Sequence, residues 1–166
     1  MNEAIVYRWN EPSDRADAAD FAGRVIGSDT AYISHGEIQA GLSDDAHNWS
    51  PDLAGLYAED FADLGARDML VARDANGKVV GLLIVAWEET PRRKFAVLED
   101  VVVDSAMRGN GIGGEMVDRA HRRIAERGVD WTFLESGLRN EAAHRFFEER
   151  GYAVVSHVFA RRHPAK

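Results

Sequence analysis

The sequence predicts a single α/β domain in which helices flank a mixed β-sheet. Its 166 residues suit one domain, and 45% of them are apolar, which is enough to bury a core. Apolar residues first recur at helical spacing and later form short strand-like runs. The predicted order is a strand, helices, antiparallel strands and then strand–helix–strand–helix–strand. That order is typical of helices layered on a mixed sheet.

The first third of the chain predicts one strand and two helices, with residues 30–48 forming a short helix and loops. Small polar residues that cap helices, and a proline suited to a first turn, set the helix starts. The expected elements are a strand at Ala4–Trp9, a helix from Ser13 or Asp14 to about Val25, and a helix from Ser50-Pro51 to Gly65.

The rest of the chain predicts a hairpin and then alternating strands and helices. Asn76-Gly77 favours the positive φ of a tight hairpin turn. The expected strands are Asp68–Arg73, Lys78–Trp87, Phe95–Val103, Trp131–Leu134 and Tyr152–Phe159. One helix follows a glycine cluster and ends at Gly128, and another spans Asn140–Arg150. In the first of these, Met116, Val117, Ala120 and Ile124 are expected to point inward.

Composition excludes several classes of protein. Lys and Arg number 20 against 28 for Asp and Glu, a net charge of −8, which argues against a general nucleic-acid binder. The chain has no cysteine, so disulfides, thiolate metal sites and a catalytic thiol are excluded. The six histidines form no metal-binding pattern. The first residues do not resemble a signal peptide, and no run approaches the roughly 20 apolar residues that span a bilayer, so we expect a cytoplasmic protein.

A glycine cluster stands between the predicted strand Phe95–Val103 and the helix that follows. It reads Arg108-Gly109-Asn110-Gly111-Ile112-Gly113-Gly114. Glycines let backbone N–H groups approach an anion at a helix N-terminus, where the helix dipole adds attraction. The segment therefore predicts a site for a phosphate or pyrophosphate group.

The same segment also fits a dinucleotide-binding pattern. Gly109, Gly111 and Gly114 satisfy G-x-G-x-x-G, and Glu135 ends the next strand. The segment lies late in the chain, however, and too few residues follow it for the further βα units of a Rossmann half. Antiparallel strands also precede it. We therefore disfavour this interpretation.

The pattern Arg108-x-x-Gly111-x-Gly113 resembles the acyl-CoA loop of the GNAT superfamily of acetyl-CoA-dependent N-acetyltransferases. The segment from Asn140 to Tyr152 is similar to a later helix of that family, with its Asn, Ala, Phe-Tyr and Gly-aromatic positions. The resemblance implies a GNAT-like mixed sheet with the acyl-CoA loop after the fourth strand. It further implies one domain over residues 1–166, with residues 1–65 mainly on the acceptor side and residues 95–152 forming the acyl-CoA-binding core.

The resemblance also implies which residues bind acetyl-CoA as co-substrate. The N–H groups from Gly109 to Gly114 would hold the pyrophosphate, and Arg108 would contact phosphate or brace the turn. The backbone of the fourth strand would pair with the pantetheine arm, and the later helix would line the groove. The residues implied are Val101, Val102, Val103, Arg108, Gly109, Asn110, Gly111, Ile112, Gly113, Gly114, Asn140, Phe147 and Arg150. Asn140 is also a plausible helix cap, and Phe147 a plausible core residue.

Acyl transfer to an amine needs a base and donors for the developing oxyanion. Glu99 is the preferred base and Asp100 the second candidate, which instead could bind the amine. Neighbouring strand residues point to opposite faces, so the two are expected to have different surroundings. Both could also be plain solvated carboxylates. Backbone N–H groups near Val102 or Val103 are the expected oxyanion donors.

One position departs from the family pattern. Many members have a tyrosine that protonates the leaving thiolate where this chain has Phe147. The alternative function is therefore a non-catalytic acyl-CoA-binding or regulatory module of the same fold. Because cysteine is absent, direct attack in a ternary complex is the expected route for an enzyme.

The expected acceptor is a small molecule or peptide with a primary amine. Acidic residues are dense early in the chain, and an acidic rim would attract a cationic acceptor such as a polyamine or aminoglycoside. Solvation of the helix surfaces explains the same acids equally well. The residues concerned are Asp14, Asp17, Asp20, Asp29, Glu37, Asp44, Asp45, Asp52, Glu59, Asp60 and Asp63. No metal, nucleic-acid or membrane partner is expected, and a homodimer is left open.

Overall fold

The structure, a computed structural model, describes residues 4–166. These residues form two compact units. The first comprises the residues up to Asp29 together with Pro51–Glu135. The second comprises Thr30–Ser50 together with Ser136–Lys166. No helix among the described residues is long and apolar enough to cross a membrane.

The first unit is built on a five-stranded mixed sheet. Its strands are β1 (Val6–Trp9), β2 (Arg67–Arg73), β3 (Val79–Thr90), β4 (Arg93–Val103) and β5 (Thr132–Leu134). They lie side by side in chain order. Strands β1 to β4 run antiparallel to one another in succession, and β5 runs parallel to β4. The expected hairpin is present, with Gly77 at φ +79° in the turn between β2 and β3.

Three helices complete this unit, namely α1 (Arg15–Gly27), α3 (Leu53–Ala62) and α4 (Ile112–Glu126). Both α1 and α4 contact β3. Every residue of β3 from 79 to 86 is buried, because both faces of this central strand are covered. The four α4 residues expected to point inward, Met116, Val117, Ala120 and Ile124, are at most 4% exposed. Gly81 in β3 makes room for Met116, since a Cβ at Gly81 would lie 3.0 Å from its Sδ and Cε atoms.

A row of arginines connects α4 to aromatic rings of the sheet. Arg119, Arg123 and Arg127 repeat every fourth residue and so share one face of the helix. Their guanidinium carbons lie 4.5, 4.5 and 3.9 Å from the ring centroids of Tyr7, Trp9 and Trp87, respectively. Each such contact contributes about 0.5–1 kcal/mol, so the row adds to the apolar packing of the helix.

Asp68 is a carboxylate buried in β2 beneath this row. Its oxygens accept hydrogen bonds from Asn10 Nδ2 at 2.9 Å, Trp87 Nε1 at 3.0 Å and Arg123 Nε at 2.7 Å. Burial raises the pKa of Asp68, but the bonds from Arg123, Asn10 and Trp87 outweigh it, and the pKa is lowered overall. The charge is therefore satisfied inside the fold, as a buried carboxylate requires.

Helices α1 and α3 approach each other at Gly23. A Cβ at Gly23 would lie 2.6 Å from both Cα and Cβ of Ala54, a distance that real side chains do not reach. At Gly27 of the same helix, a Cβ would lie 3.3 Å from Leu53 Cδ2, the end of a flexible side chain. The two glycines therefore differ in what a methyl group would displace.

We expect Gly23→Ala to destabilise the protein by about 1–3 kcal/mol, because the methyl group would force two helix backbones apart. Gly27→Ala is the matched control and should be close to neutral, since Leu53 can move and alanine favours the helix. Thermal unfolding of both variants checks this. Equal melting temperatures for the two would show that the close approach of α1 and α3 does not limit stability.

The second unit contains two short helices, α2 (His35–Gln39) and α5 (Glu141–Glu148). Ser34 and Glu37 form a capping box at the start of α2. Gly137 lies against the backbone of residues 31–33, where a Cβ would stand 2.1 Å from the carbonyl oxygen of Ala31. The carbonyl of Gly137 in turn lies 2.9 Å from His144 Nε2.

Two expectations for local structure are wrong. The segment Tyr152–Phe159 forms no strand; it has no regular secondary structure, and its large apolar residues Val154, Val155, Val158 and Phe159 are 59–93% exposed. Ser50 is not the cap of α3. That helix starts two residues later, where Asp52 takes a left-handed backbone conformation and accepts a hydrogen bond from Gly55 N.

Candidate acyl-transfer site

Strand β4 extends beyond β5, the strand that pairs with one of its edges. Strand β5 pairs with it only at Ala96, Val97 and Leu98, whereas β4 continues to Val103. Among the described residues, no strand pairs with that edge of β4 over residues 99–103. Strand edges present backbone N–H and C=O groups, so this stretch can bind an extended ligand by main-chain hydrogen bonds.

A β-bulge at Glu99 determines which residues face the open edge. Leu98 pairs with Val85 and Asp100 with Ile84, so Glu99 is an extra residue in β4. The N–H of Ala96 bonds toward β5, whereas the N–H of Asp104 bonds to Val80 O in β3. Because N–H directions alternate along a strand, the bulge turns those of Val101 and Val103 toward the open edge and that of Val102 toward β3.

The glycine-rich segment follows directly after β4. Asp104, which is 4% exposed, accepts a hydrogen bond from Ala106 N at 3.0 Å and lies 3.2 Å from Lys78 Nζ. The Ala106 N–H and, after it, Lys78 and Arg24 hold the pKa of Asp104 low against the opposing effect of burial. This ionised carboxylate fixes the beginning of the segment.

Positive φ angles then shape the segment into an open start for α4. Gly109 has φ +85° and Gly111, the N-cap, has φ +77°, and the side of each where a Cβ would stand is empty. Asn110 Nδ2 donates to Met107 O, which closes the turn. In the described part of the chain, no hydrogen bond uses a backbone N–H of residues 111–114. These N–H groups stand at the positive end of the α4 dipole.

Two side chains of this segment behave differently. Ile112 is 2% exposed, so it anchors the start of α4 while its N–H stays at the helix end. Arg108 is exposed and forms no ion pair with any residue from 4 to 166. The segment therefore combines unpaired N–H donors with one available cation, which is what a pyrophosphate group requires.

Glu99 stands at the bulge, and its side chain is 36% exposed. Burial is the main cause that raises the pKa of Glu99, and Arg67 opposes it only in part. Arg67 Nη1 lies 3.4 Å from Glu99 Oε2. Asp100 is half-buried. The bulge interrupts the strict alternation on which the expectation of opposite faces for these two carboxylates rested.

The remaining predicted site residues lie in the second unit and have local structural roles there. Asn140 caps α5, its Oδ1 accepting from Ala143 N at 3.4 Å. Arg150 donates to Phe146 O at 2.9 Å and stacks on the Phe146 ring. Phe147 is 9% exposed and packs edge-to-face against Phe146 and Tyr152. A role for these three toward acetyl-CoA stays a prediction.

We expect Phe147→Tyr to lower stability by about 1–3 kcal/mol, because its ring edge lies in an aromatic cluster where a hydroxyl lacks a partner. Turnover per folded molecule should not change. Thermal unfolding and a thiol-release assay check the two quantities separately. A variant of unchanged stability and faster turnover would instead place position 147 at the leaving thiolate.

Several acidic residues expected to attract a cationic acceptor form ion pairs or hydrogen bonds within the fold. Asp14 is 1% exposed and is paired with Arg8 and Arg73. Asp52 caps α3, as described. The pKa of Asp45 is lowered to about 2, first by the Asn48 side chain and then by the N–H groups of His47 and Asn48. Within residues 4–166, no group of histidines and carboxylates could hold a metal ion.

Arg67 and Asp60 lie beside Glu99, a place that the sequence did not predict for either; Asp60 was expected only among the acids that attract a cationic acceptor. Arg67 is 16% exposed in its side chain and forms a two-pronged ion pair with Asp60, at 2.9 and 3.0 Å. An arginine at the start of a strand carries no signal for this arrangement, because Glu99 lies 32 residues further along the chain.

Solved structures share the fold of this chain. The ribosomal-protein-alanine N-acetyltransferase of Brucella melitensis biovar Abortus 2308 aligns over 96% of this chain and 100% of its own, with 18% identity and a TM-score of 0.71. A transcriptional regulator from Bacillus halodurans C-125 aligns over 96% and 99%, with 23% identity and a TM-score of 0.67. An aminoglycoside acetyltransferase from an uncultured soil metagenomic sample aligns over 98% and 97%, with 16% identity and a TM-score of 0.62.

These similarities define the fold class, the GNAT-like mixed sheet that the sequence predicted. The model of the acetyltransferase (GNAT) family matches residues 37–152, which is more than half of the chain. The chain therefore belongs to the GNAT acetyltransferase family, whose general activity is acetyl transfer. No curated protein matches the sequence significantly.

Proposed function

We propose that this protein transfers the acetyl group of acetyl-CoA to a primary amine of a small molecule or peptide, by direct attack in a ternary complex. The observation that carries the proposal is the adjacency of the open β4 edge and the glycine-rich start of α4. The first suits an extended amide-bearing arm and the second a pyrophosphate, and they follow one another in the chain.

The residues present suit acetyl-CoA. In this proposal the N–H groups of residues 109–114 and the Arg108 guanidinium bind the pyrophosphate. Val103, whose N–H faces the open edge on the side of the glycine-rich segment, pairs with a pantetheine amide. Bound acetyl-CoA supplies the thioester, an acyl group on a good leaving thiolate.

Glu99 is the proposed base. The amine arrives largely protonated, and the carboxylate takes a proton from it directly or through one water molecule. The amine nitrogen then forms a bond to the acetyl carbon, its remaining extra proton passes to solvent, and the carbon–sulfur bond breaks. The Val101 N–H, which faces the same edge nearer to Glu99, is the proposed donor to the carbonyl oxygen as negative charge develops there. With Phe147 unable to donate, solvent protonates the departing thiolate.

The proposal predicts release of coenzyme A that depends on an added amine. The test follows thiol release and acetylated product by mass spectrometry with a panel of polyamines, aminoglycosides and peptides with free N-termini. Cationic amines are the expected acceptors, since the chain has a net charge of −8.

A non-catalytic acyl-CoA-binding module is the second candidate, because Phe147 lacks the hydroxyl that many family members use. Calorimetric binding of acetyl-CoA without turnover across the whole panel would favour it. Failure to bind acetyl-CoA at all would contradict both functions.

A further inference from the structure

Arg67 donates six hydrogen bonds, and five of them go to Asp60, Asp63 and Leu64, at the end of α3 and just after it. Its Nε donates to Leu64 O at 2.8 Å, and its two terminal nitrogens bind the Asp60 carboxylate. Nη2 also donates to the carbonyl oxygens of Asp60 and Asp63, at 3.2 and 3.1 Å. The guanidinium is thus tied to the C-terminal end of α3, a site where the helix dipole favours a cation.

One donor of this guanidinium is directed at Glu99. Nη1 lies 3.4 Å from Oε2, and among residues 4–166 the other oxygen, Oε1, accepts no hydrogen bond. A carboxylate held through one oxygen keeps the second oxygen available for a proton. Arg67 and Val97 both pair with Ala86, and Glu99 lies two residues after Val97, so Glu99 lies on the same face of the sheet as Arg67.

We propose that Arg67 is a positioning residue, which holds the Glu99 carboxylate through Oε2 and leaves Oε1 for the acceptor amine, and that Asp60 sets the strength of this hold. The inference rests on the proposed function, since it needs Glu99 to be the base. Arg67 itself touches neither reactant.

Charged groups from three elements face Glu99, and they act in opposite directions. Arg67 from β2 lowers the pKa of Glu99, whereas burial, Asp60 from α3 and Glu88 from β3 raise it. Asp60 acts twice, because its charge repels the Glu99 carboxylate and also neutralises part of the Arg67 charge. Removing Arg67 should therefore raise the pKa of Glu99, and removing the Asp60 charge should lower it.

The test is a carboxyl ¹³C NMR titration of Glu99 in the full chain, with the resonance assigned from Glu99→Gln. Arg67→Met should shift the titration to higher pH, Asp60→Asn to lower pH, and Arg67→Lys should restore most of the wild-type curve. In acetyl transfer, kcat/KM of Arg67→Met should fall about threefold to fivefold at the acid end and stay within about twofold on the alkaline plateau.

Arg93→Met is the matched control. Arg93 lies on β4 and pairs with Asp130 at the same 3.4 Å, in an exposed ion pair. The Arg93→Met variant should leave both the Glu99 titration and the pH profile of kcat/KM unchanged. A titration of Glu99 that is the same in Arg67→Met and wild type would overturn the inference, whatever the activity. Shifted titrations in a protein without any acetyl transfer would overturn the proposed function and leave the Arg67–Glu99 coupling supported.

Discussion

Replacing Gly111 by aspartate is expected to weaken acetyl-CoA binding by about tenfold to a hundredfold. The new carboxylate would stand at the N-terminus of α4, where we place the pyrophosphate, and like charges repel strongly at such short range. Gly111 also has φ +77°, which an aspartate tolerates only with strain. Calorimetry with acetyl-CoA measures the change.

Gly128→Asp is the matched control for this variant. Gly128 follows the other end of α4, has φ +69°, and also has nothing within 4 Å of where a Cβ would stand. Its variant carries the same strain and the same charge but lies far from the glycine-rich segment. It should bind acetyl-CoA as the wild type does. Unchanged affinity in Gly111→Asp would contradict the assignment of this segment to the pyrophosphate.

Glu99→Gln is expected to lower kcat about 10²- to 10⁴-fold, as loss of a general base typically does. Acetyl-CoA affinity should stay nearly intact, because the base acts on the acceptor. The wild-type rate should fall as the pH drops through the raised pKa of Glu99, since only the carboxylate accepts a proton. Steady-state kinetics from acidic to alkaline pH, with calorimetry alongside, tests both statements.

The same variant should not lose stability. A carboxyl group whose pKa is raised by folding destabilises the folded state as the pH rises from its ordinary pKa through the raised one. Glutamine removes that cost, so the melting temperature at neutral pH should stay level or rise. Glu89→Gln, on the exposed end of β3, serves as control for the rate. A pH–rate profile identical to that of the wild type would exclude Glu99 and direct attention to Asp100.

Local signals predicted most of the sheet and the α4 helix. Met116 and Ile124 were recognised because buried residues of a helix repeat at a regular spacing, and the glycine-rich segment because glycine at a strand-to-helix junction has few other uses. Both signals lie within a short stretch of sequence, so they can be interpreted without knowledge of the rest of the fold.

The features that were not predicted depend instead on residues far apart in the chain. Val154 and Phe159 have a strong preference for strands, but a strand also needs a partner edge, and the sequence does not say whether one is available. Likewise, the bulge at Glu99 follows from the registers of β4 against β3 and β5. The contact between Arg67 and Glu99 depends on the registers of β2 against β3 and of β3 against β4, so neither the bulge nor the contact could be predicted from composition or spacing.

The arginine row alone does not fix the position of α4 along its axis, whereas Gly81 does. Because the arginines stand at every fourth position, two of the three rings would again meet an arginine if the helix slid by one turn, about 5.4 Å along its axis. The apolar side of α4 has no such translational symmetry. Only Met116 fills the notch over Gly81, and a slide by one turn would bring Ala120 or Ile112 there, leaving a void or a clash. Gly81, which has no side chain, thus fixes the position of α4 along its axis. It thereby keeps the amide donors at the start of α4 level with the end of β4.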